Sequence, residues 1–351
     1  MLWRERYLDE ELQTQRLLGE SDPPGCPGAT ARLARVPDAL ARCALLVRSP
    51  RGRASACAAL VHSLCVELIR TVRASLDNAV VQAGAKCKAH GPGTTAQVAV
   101  ADGPAALLQE AGAAAAVMAE LRTHLAQRAA PLLAADAGAR ATASDIARQT
   151  GTFVEASLGA TLTAAVGHSA TALERLLAAE QAKADFAPKL VMGLGGAAPT
   201  EGQLSADRPT VACYRCVSLL ALVRKAAVDA GLDDRNVAAL CAALGDRAVS
   251  VLDTHFAGFK FTPAGGLRLK RDVTEYAALL TGWGMHPTSA ALTRLAEIGA
   301  LANLLVAPLT ALPGLVNGEG LGVAVRREDA LAFLSRRSDY SKSKTPFAQL
   351  M

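Results

Sequence analysis

Cys213 and Cys216 form a Cys-x-x-Cys pair, the spacing that thiol exchange or metal binding would use. On a helix the two lie one turn apart on one face. A zinc site needs about four ligands, and a thioredoxin-like redox site needs a βαβ setting. Neither a second close pair nor a strand pattern accompanies them, so they read as small apolar side chains packing a helix face. The histidines, His62, His90, His124, His168, His255 and His286, lie outside metal-ligand spacing of one another. No His-Glu-x-x-His, P-loop lysine or Gly-x-Ser-x-Gly motif is present. Val191–Gly196 has the glycines of a phosphate loop but neither a preceding strand nor a lysine and hydroxyl pair, so it reads as linker. The acidic residues are scattered, with no carboxylate pair placed as acid and base. The expectation is no catalytic residue, no cofactor and no metal, with a zinc or enzyme role for Cys213 and Cys216 as the rival reading.

The elements that would position these residues are helical. The chain has 351 residues, 51% hydrophobic but only 4% aromatic, so alanine supplies much of the apolar content and favours helix. Ala54 to Val81 reads as one helix with Leu60, Leu64, Leu68 and Val72 on a face, after a break at Arg48–Arg53. Lys86–Gln97 reads as a polar loop, and Pro104 starts a helix running to Ala129. Ser144 to Phe186 predicts a helix of roughly 60 Å, with an apolar stripe through Phe153, Leu158, Leu162, Val166, Ala170, Leu173 and Leu176 or Leu177, and possible kinks at Gly151, Gly159 and Gly167. Further helices are expected at Pro209–Ala230, Asn236–His255, Lys270–Trp283, Thr288–Val306 and Glu328–Tyr340. The pattern predicts an N-terminal helical bundle over 1–186 ending in the long helix. A Gly/Pro/Ala-rich linker follows over 187–207, then a C-terminal bundle over 208–351.

Composition excludes a disordered chain, a collagen-like repeat and, at 8 cysteines, a disulfide scaffold. A formal charge of +5 on 351 residues predicts no nucleic-acid binding. Arg32, Arg35, Arg42, Arg48, Arg51, Arg53, Arg70, Arg73, Lys86 and Lys88 face only Asp38, Glu67 and Asp77. They read as a solvated face, or else as a contact for an acidic partner or an anionic membrane surface. Met1–Arg16 is charged from Arg4 onward and shows no signal-peptide core, so the cysteines read as reduced and cytosolic. Ile298–Val316 is uncharged for nearly a bilayer's length. Pro308 and Pro313 nonetheless make it a buried helix followed by a loop.

The most informative stretch is His255–Tyr276, HFAGFKFTPAGGLRLKRDVTEY. Phe256, Phe259 and Phe261 place three of seven phenylalanines beside one turn, which pins an extended segment by burying rings. Pro263, Gly265 and Gly266 read as a tight reversal, with Lys270 and Arg271 entering a new helix whose first turn holds Asp272 and Glu275. The segment is a hinge between two helices, or Arg268, Lys270 and Arg271 form a partner-binding patch.

This stretch resembles the C-terminal region of exocyst complex component five, the Sec-ten subunit, above all its plant and algal members. Leu301–Pro308 (LANLLVAP), Ala330–Lys344 (ALAFLSRRSDYSKSK) and Leu173–Gln181 (LERLLAAEQ) are similar to further segments of that family, and the likeness covers Ala172 to Lys344. The resemblance implies an all-α, elongated rod of stacked antiparallel helical bundles. It implies a non-catalytic subunit of the exocyst that helps dock secretory vesicles at the plasma membrane. It implies other exocyst subunits as partners, the Sec-fifteen subunit nearest, together with a small GTPase and peripheral membrane contact. It also implies a cytoplasmic protein recruited to secretory vesicles and plasma membrane sites. Family members are more than twice this length, and Gly282–Pro287 is an inserted turn. The alternatives are another helical scaffold or adaptor, or a truncated fragment that does not assemble.

Overall fold

Alanine, leucine and the straight-chain charged residues build helices throughout the regions that the computed structural model describes, residues 49–89, 94–187, 208–317 and 325–340. Among the described residues the only extended pairing is an isolated parallel bridge between Phe261 and Arg337. The chain is all-α. The helices are α1 (Pro50–Ala89), α2 (Ala96–Ala101), α3 (Pro104–His124), α4 (Ala130–Leu133), α5 (Ala137–Glu180) and α6 (Lys183–Phe186), then α7 (Val211–Asp229), α8 (Asp234–Ala257), α9 (Pro263–Gly282), α10 (Ala290–Val306), α11 (Leu312–Asn317) and α12 (Arg327–Leu334).

Several boundaries differ from the sequence expectation, each for a local reason. α1 begins at Pro50, four residues before the expected start at Ala54. Ser49 precedes Pro50 at the start of the helix, and the Gly52 N–H donates to Ser49 Oγ at 3.0 Å, so this segment begins the helix. At its other end α1 runs to Ala89, four residues into the expected loop, and α2 was not foreseen. α3 continues through a π-turn, Leu125–Ala129, into α4. There the Ala130 N–H donates to Leu125 O, and the wider turn accommodates Pro131, which has no N–H to give. α5 is one helix of 44 residues, about 66 Å long, and passes through Gly151, Gly159 and Gly167. On its stripe Val154, not Phe153, is buried.

The chain divides into two compact units. The first comprises the described parts of Met1–Lys88, Asp102–Ala165 and Ala226–Asp233. Its core takes Leu60, Leu64, Leu68, Val72 and Leu76 from α1 and Leu107, Leu108, Ala111, Val117 and Leu121 from α3. The small residues of α3 let backbones approach: a Cβ on Gly112 would fall 1.9 Å from Ala230 O. By length and composition α1 could cross a bilayer, with a mean hydropathy of 1.4 over its most apolar window, and half of that window is buried inside the protein.

The second unit comprises the described parts of Ala89–Ala101, Val166–Lys225 and Asp234–Met351. α8, α9 and α10 pack through Leu240, Leu244, Val251, Leu269, Val273, Leu280, Leu295, Ile298 and Leu305. Ile298–Val316 is a buried helix as far as Val306. Beyond Pro308 the chain forms a 3₁₀ turn at Leu309–Ala311 and then α11, not an open loop. The expected 187–207 linker lies, from residue 188 on, outside the described residues, as do Arg32–Arg48 of the basic stretch and residues 341–344 of the family-like terminal segment.

Candidate functional site

The three family-like stretches of the C-terminal half converge on one junction in the second unit. α8 ends at Ala257, and Phe256, Phe259 and Phe261 gather around Phe186, the last residue of α6. Ring centroids lie 5.9, 5.2 and 5.0 Å from that of Phe186. The pairs are edge-on or tilted, the arrangement the ring quadrupole favours, at about 0.5–1.5 kcal/mol per pair beyond area burial. Phe333 of α12 stacks on Phe261 at 6.2 Å. The chain at Phe261 is held on both sides: its N–H donates to Arg336 O at 2.9 Å, and its carbonyl accepts from the Ser338 N–H at 2.8 Å. Lys260 Nζ donates to Ser335 O at 2.8 Å.

Arg337 anchors this terminal segment. Its side chain is 3% exposed and makes a two-pronged pair with Asp339, at 2.9 and 2.8 Å. Nη1 also donates to Leu304 O at 2.8 Å and Ala307 O at 2.6 Å. Those carbonyls end α10, where a helix leaves acceptors unpaired and its dipole favours a cation. Arg337 therefore caps α10 from another element.

A second polar cluster is built on α9. Asp272 is 1% exposed and sits in the middle of α9, not in its first turn as the sequence suggested. Its Oδ1 accepts from the Thr210 N–H at 2.7 Å, and its Oδ2 from the Thr210 hydroxyl at 2.8 Å. Thr210 Oγ1 in turn accepts from the Cys213 N–H at 3.0 Å, capping α7. Burial lifts the Asp272 carboxyl to about 7, against the opposing pull of the Thr210 bonds and Arg268. Cys213 and Cys216 pack here beside Tyr276, each 1% exposed or less. Burial raises both thiols, Cys216 to about 12, and the nearby Asp272 charge adds to the effect. A thiol held so far above neutral pH supplies almost no free thiolate for disulfide exchange. Among the described residues no three His, Cys, Asp or Glu side chains converge on a common point for a metal ion.

The structure corrects two expectations about site residues. Pro263, Gly265 and Gly266 are not the reversal. They form the first turn of α9, capped by Thr262, whose side chain accepts from the Gly265 N–H at 3.1 Å. The reversal occupies Gly258–Phe261. The glycines are there for close approach: a Cβ on Gly265 would fall 1.6 Å from Phe186 O, and one on Gly266 2.6 Å from Leu305 Cβ. Arg268 is not a surface cation. Its side chain is 14% exposed, and Nη1 donates to Asp185 O at 3.1 Å and lies 3.5 Å from Asp185 Oδ1. Lys270 and Arg271 are exposed, and Lys270 Nζ donates to Asn303 Oδ1 at 2.9 Å.

Sequence reading missed Asp272 as a buried group, along with Thr210, Arg337 and Phe186. One signal for Asp272 was available. It lies on the apolar seam Leu269, Val273, Tyr276 and Leu280 at helical spacing, so a charge there had to be buried. A groove of about 300 Å³, lined by Glu174, Leu177, Arg247, Ser250, Val251, Thr254 and His255, borders the phenylalanine cluster, where the His255 ring lies 5.0 Å from that of Phe259. Glu174 and Arg247 stand 3.8 Å apart at its edge, and burial lowers the His255 pKa, so that imidazole is neutral.

Fold and junction together define an all-helical scaffold whose buried polar groups hold helices to one another. The family model described as exocyst complex component SEC10-like, alpha-helical bundle, matches residues 28–346, and the chain belongs to that family. It is similar to exocyst complex component SEC10b of Arabidopsis thaliana, 34% identical over 172 residues, and to exocyst complex component 5 of Oryza sativa subsp. japonica, 33% identical over 172 residues. Each match covers 49% of this chain and spans only 19% of the relative's length.

Proposed function

We propose that this chain works as a non-catalytic helical subunit of the exocyst, in docking secretory vesicles at the plasma membrane. The family match over residues 28–346 carries the reading. The junction supports it, since Arg268, Asp272 and Arg337 are each engaged in fixing one helix to another segment. In this proposal the protein is cytoplasmic and recruited to secretory vesicles and plasma membrane sites. Its partners are other exocyst subunits, the Sec-fifteen subunit nearest, with a small GTPase and peripheral membrane contact as further associations. The stacked-bundle rod belongs to the same proposal.

The test is a tagged chain expressed in a related cell, with co-purifying proteins identified. Recovery of the known exocyst subunits is expected, and soluble, folded chain that recovers none of them overturns the reading. The exposed pair Lys270 and Arg271 is the proposed contact patch. Lys270→Glu with Arg271→Glu lowers that recovery several-fold while the helical circular dichroism stays unchanged. Full recovery with the double variant removes the patch from the proposal.

A further inference from the structure

We propose that the outer face of α1 seats this protein on an anionic membrane surface. The proposal rests on the reading above of a subunit recruited to secretory vesicles and plasma membrane sites, and it assigns that contact to named residues. α1 runs for 40 residues, about 60 Å. It carries six cations, Arg51, Arg53, Arg70, Arg73, Lys86 and Lys88, and only two carboxylates. Those two are taken up locally: Glu67 pairs with Arg70 at 2.9 Å and Asp77 with Arg73 at 3.6 Å. The helix keeps a surplus of four positive charges. Arg51, Arg70, Arg73 and Lys88 fall within about a third of its circumference and are all exposed.

The opposite side of α1 is already covered. Leu60, Leu64, Leu68, Val72 and Leu76 are buried in the core of the first unit, which turns the cations outward. Crossing a bilayer would pull those leucines from the core and place Arg70, Arg73 and Asp77 in hydrocarbon. Lying on the headgroups instead keeps the core intact, while the long cationic side chains reach lipid phosphates. Val66 and Val81, 50% and 70% exposed, stand between the cations and suit the boundary between headgroups and acyl chains. A protein partner is gripped chiefly through aromatic and arginine anchors in fitted pockets. α1 has no Phe, Tyr or Trp, so charge spread along a helix without aromatic anchors fits a fluid anionic sheet better than a moulded protein surface.

The experiment floats the purified full chain with vesicles of phosphatidylcholine, alone or with about 30% phosphatidylserine. Binding to the anionic vesicles is expected to exceed binding to the neutral ones by at least about fivefold and to be lost at about 0.5 M salt. The variant Arg51→Gln, Arg70→Gln, Arg73→Gln and Lys88→Gln, with unchanged helical circular dichroism, falls to the neutral-vesicle level. A control with as many exposed cations removed elsewhere, Lys225→Gln, Arg235→Gln, Arg247→Gln and Arg326→Gln, keeps its binding. Equal binding to both vesicles, or an equal loss in the control, overturns the proposal. So does a parent chain that ignores anionic vesicles. If that chain still recovers exocyst subunits, the subunit reading stands and only the membrane face falls. If the α1 variant then loses those subunits, the face belongs to an acidic protein instead.

Discussion

Asp272 concentrates the residue-scale physics of this protein. Its carboxyl titrates near 7 in the folded chain because burial outweighs the Thr210 bonds, and near 4 once unfolded. Between those values the folded state holds the extra proton. Its contribution to stability is therefore full below pH 4 and is lost as pH rises to about 7, with a slope of at most about 1.4 kcal/mol per pH unit. Asp272→Asn removes the titration. Urea melts at pH 5 and pH 8 are expected to show the parent chain gaining on the variant at the lower pH, and an equal difference at both would contradict the assignment. Arg337 has the opposite character, a buried cation held by a half-buried carboxylate and two helix-end carbonyls. Arg337→Met removes the guanidinium donors from Asp339 and from those carbonyls and is expected to cost about 2–4 kcal/mol, read from the shift in denaturation midpoint. A loss below about 1 kcal/mol would mean that the terminal segment is not held through this side chain. The sequence offered no cue for Arg337, because an arginine among serines after a short helix looks like surface.

At the scale of elements, propensity and packing pull glycine in different directions. Gly159 lies inside α5, where an added Cβ would meet nothing within 4 Å. Gly159→Ala therefore relieves backbone entropy and stabilises by about 0.5–1 kcal/mol. Gly265 also lies in a helix, yet its Cβ would collide with the Phe186 carbonyl. There the same propensity gain of about 1 kcal/mol is overwhelmed, and Gly265→Ala is expected to destabilise by about 2–3 kcal/mol. Thermal melting of the two variants checks both signs, and a stabilised Gly265→Ala would show that the helix contact is looser than described. The same contrast explains why the start of α9 was misplaced. Thr-Pro-x-Gly-Gly contains a helix cap, a first-turn proline and two glycines, and sequence alone weighs the glycines as a turn. Only the neighbouring Phe186 and Leu305 show that they are needed for contact.

For the whole molecule, a core built from alanine, leucine and small cysteines predicts inert thiols. Cys57, Cys65, Cys87, Cys213, Cys216 and Cys241 are all buried. In the native protein these six are expected to resist a thiol reagent over hours, whereas denaturant exposes all 8 cysteines of the chain. Mass mapping of labelled peptides checks it, and rapid native labelling of Cys213 or Cys216 would revive the redox reading. The sequence by itself determined the all-helical class, the apolar stripes of α1 and α5 and the end of α10 before Pro308, because these follow from local periodicity and proline sterics. It also carried the family, through short stretches whose residue types are distinctive. The tertiary structure decided that those stretches meet at one junction, that Arg268 turns inward while Lys270 and Arg271 stay exposed, that Asp272 holds the capping residue of α7, and that Arg337 caps α10. Such choices rest on which groups arrive from residues 30 to 83 positions away. A buried carboxylate and a solvated one have the same letter in a sequence, and only the partners that fold brings beside them set their energies apart.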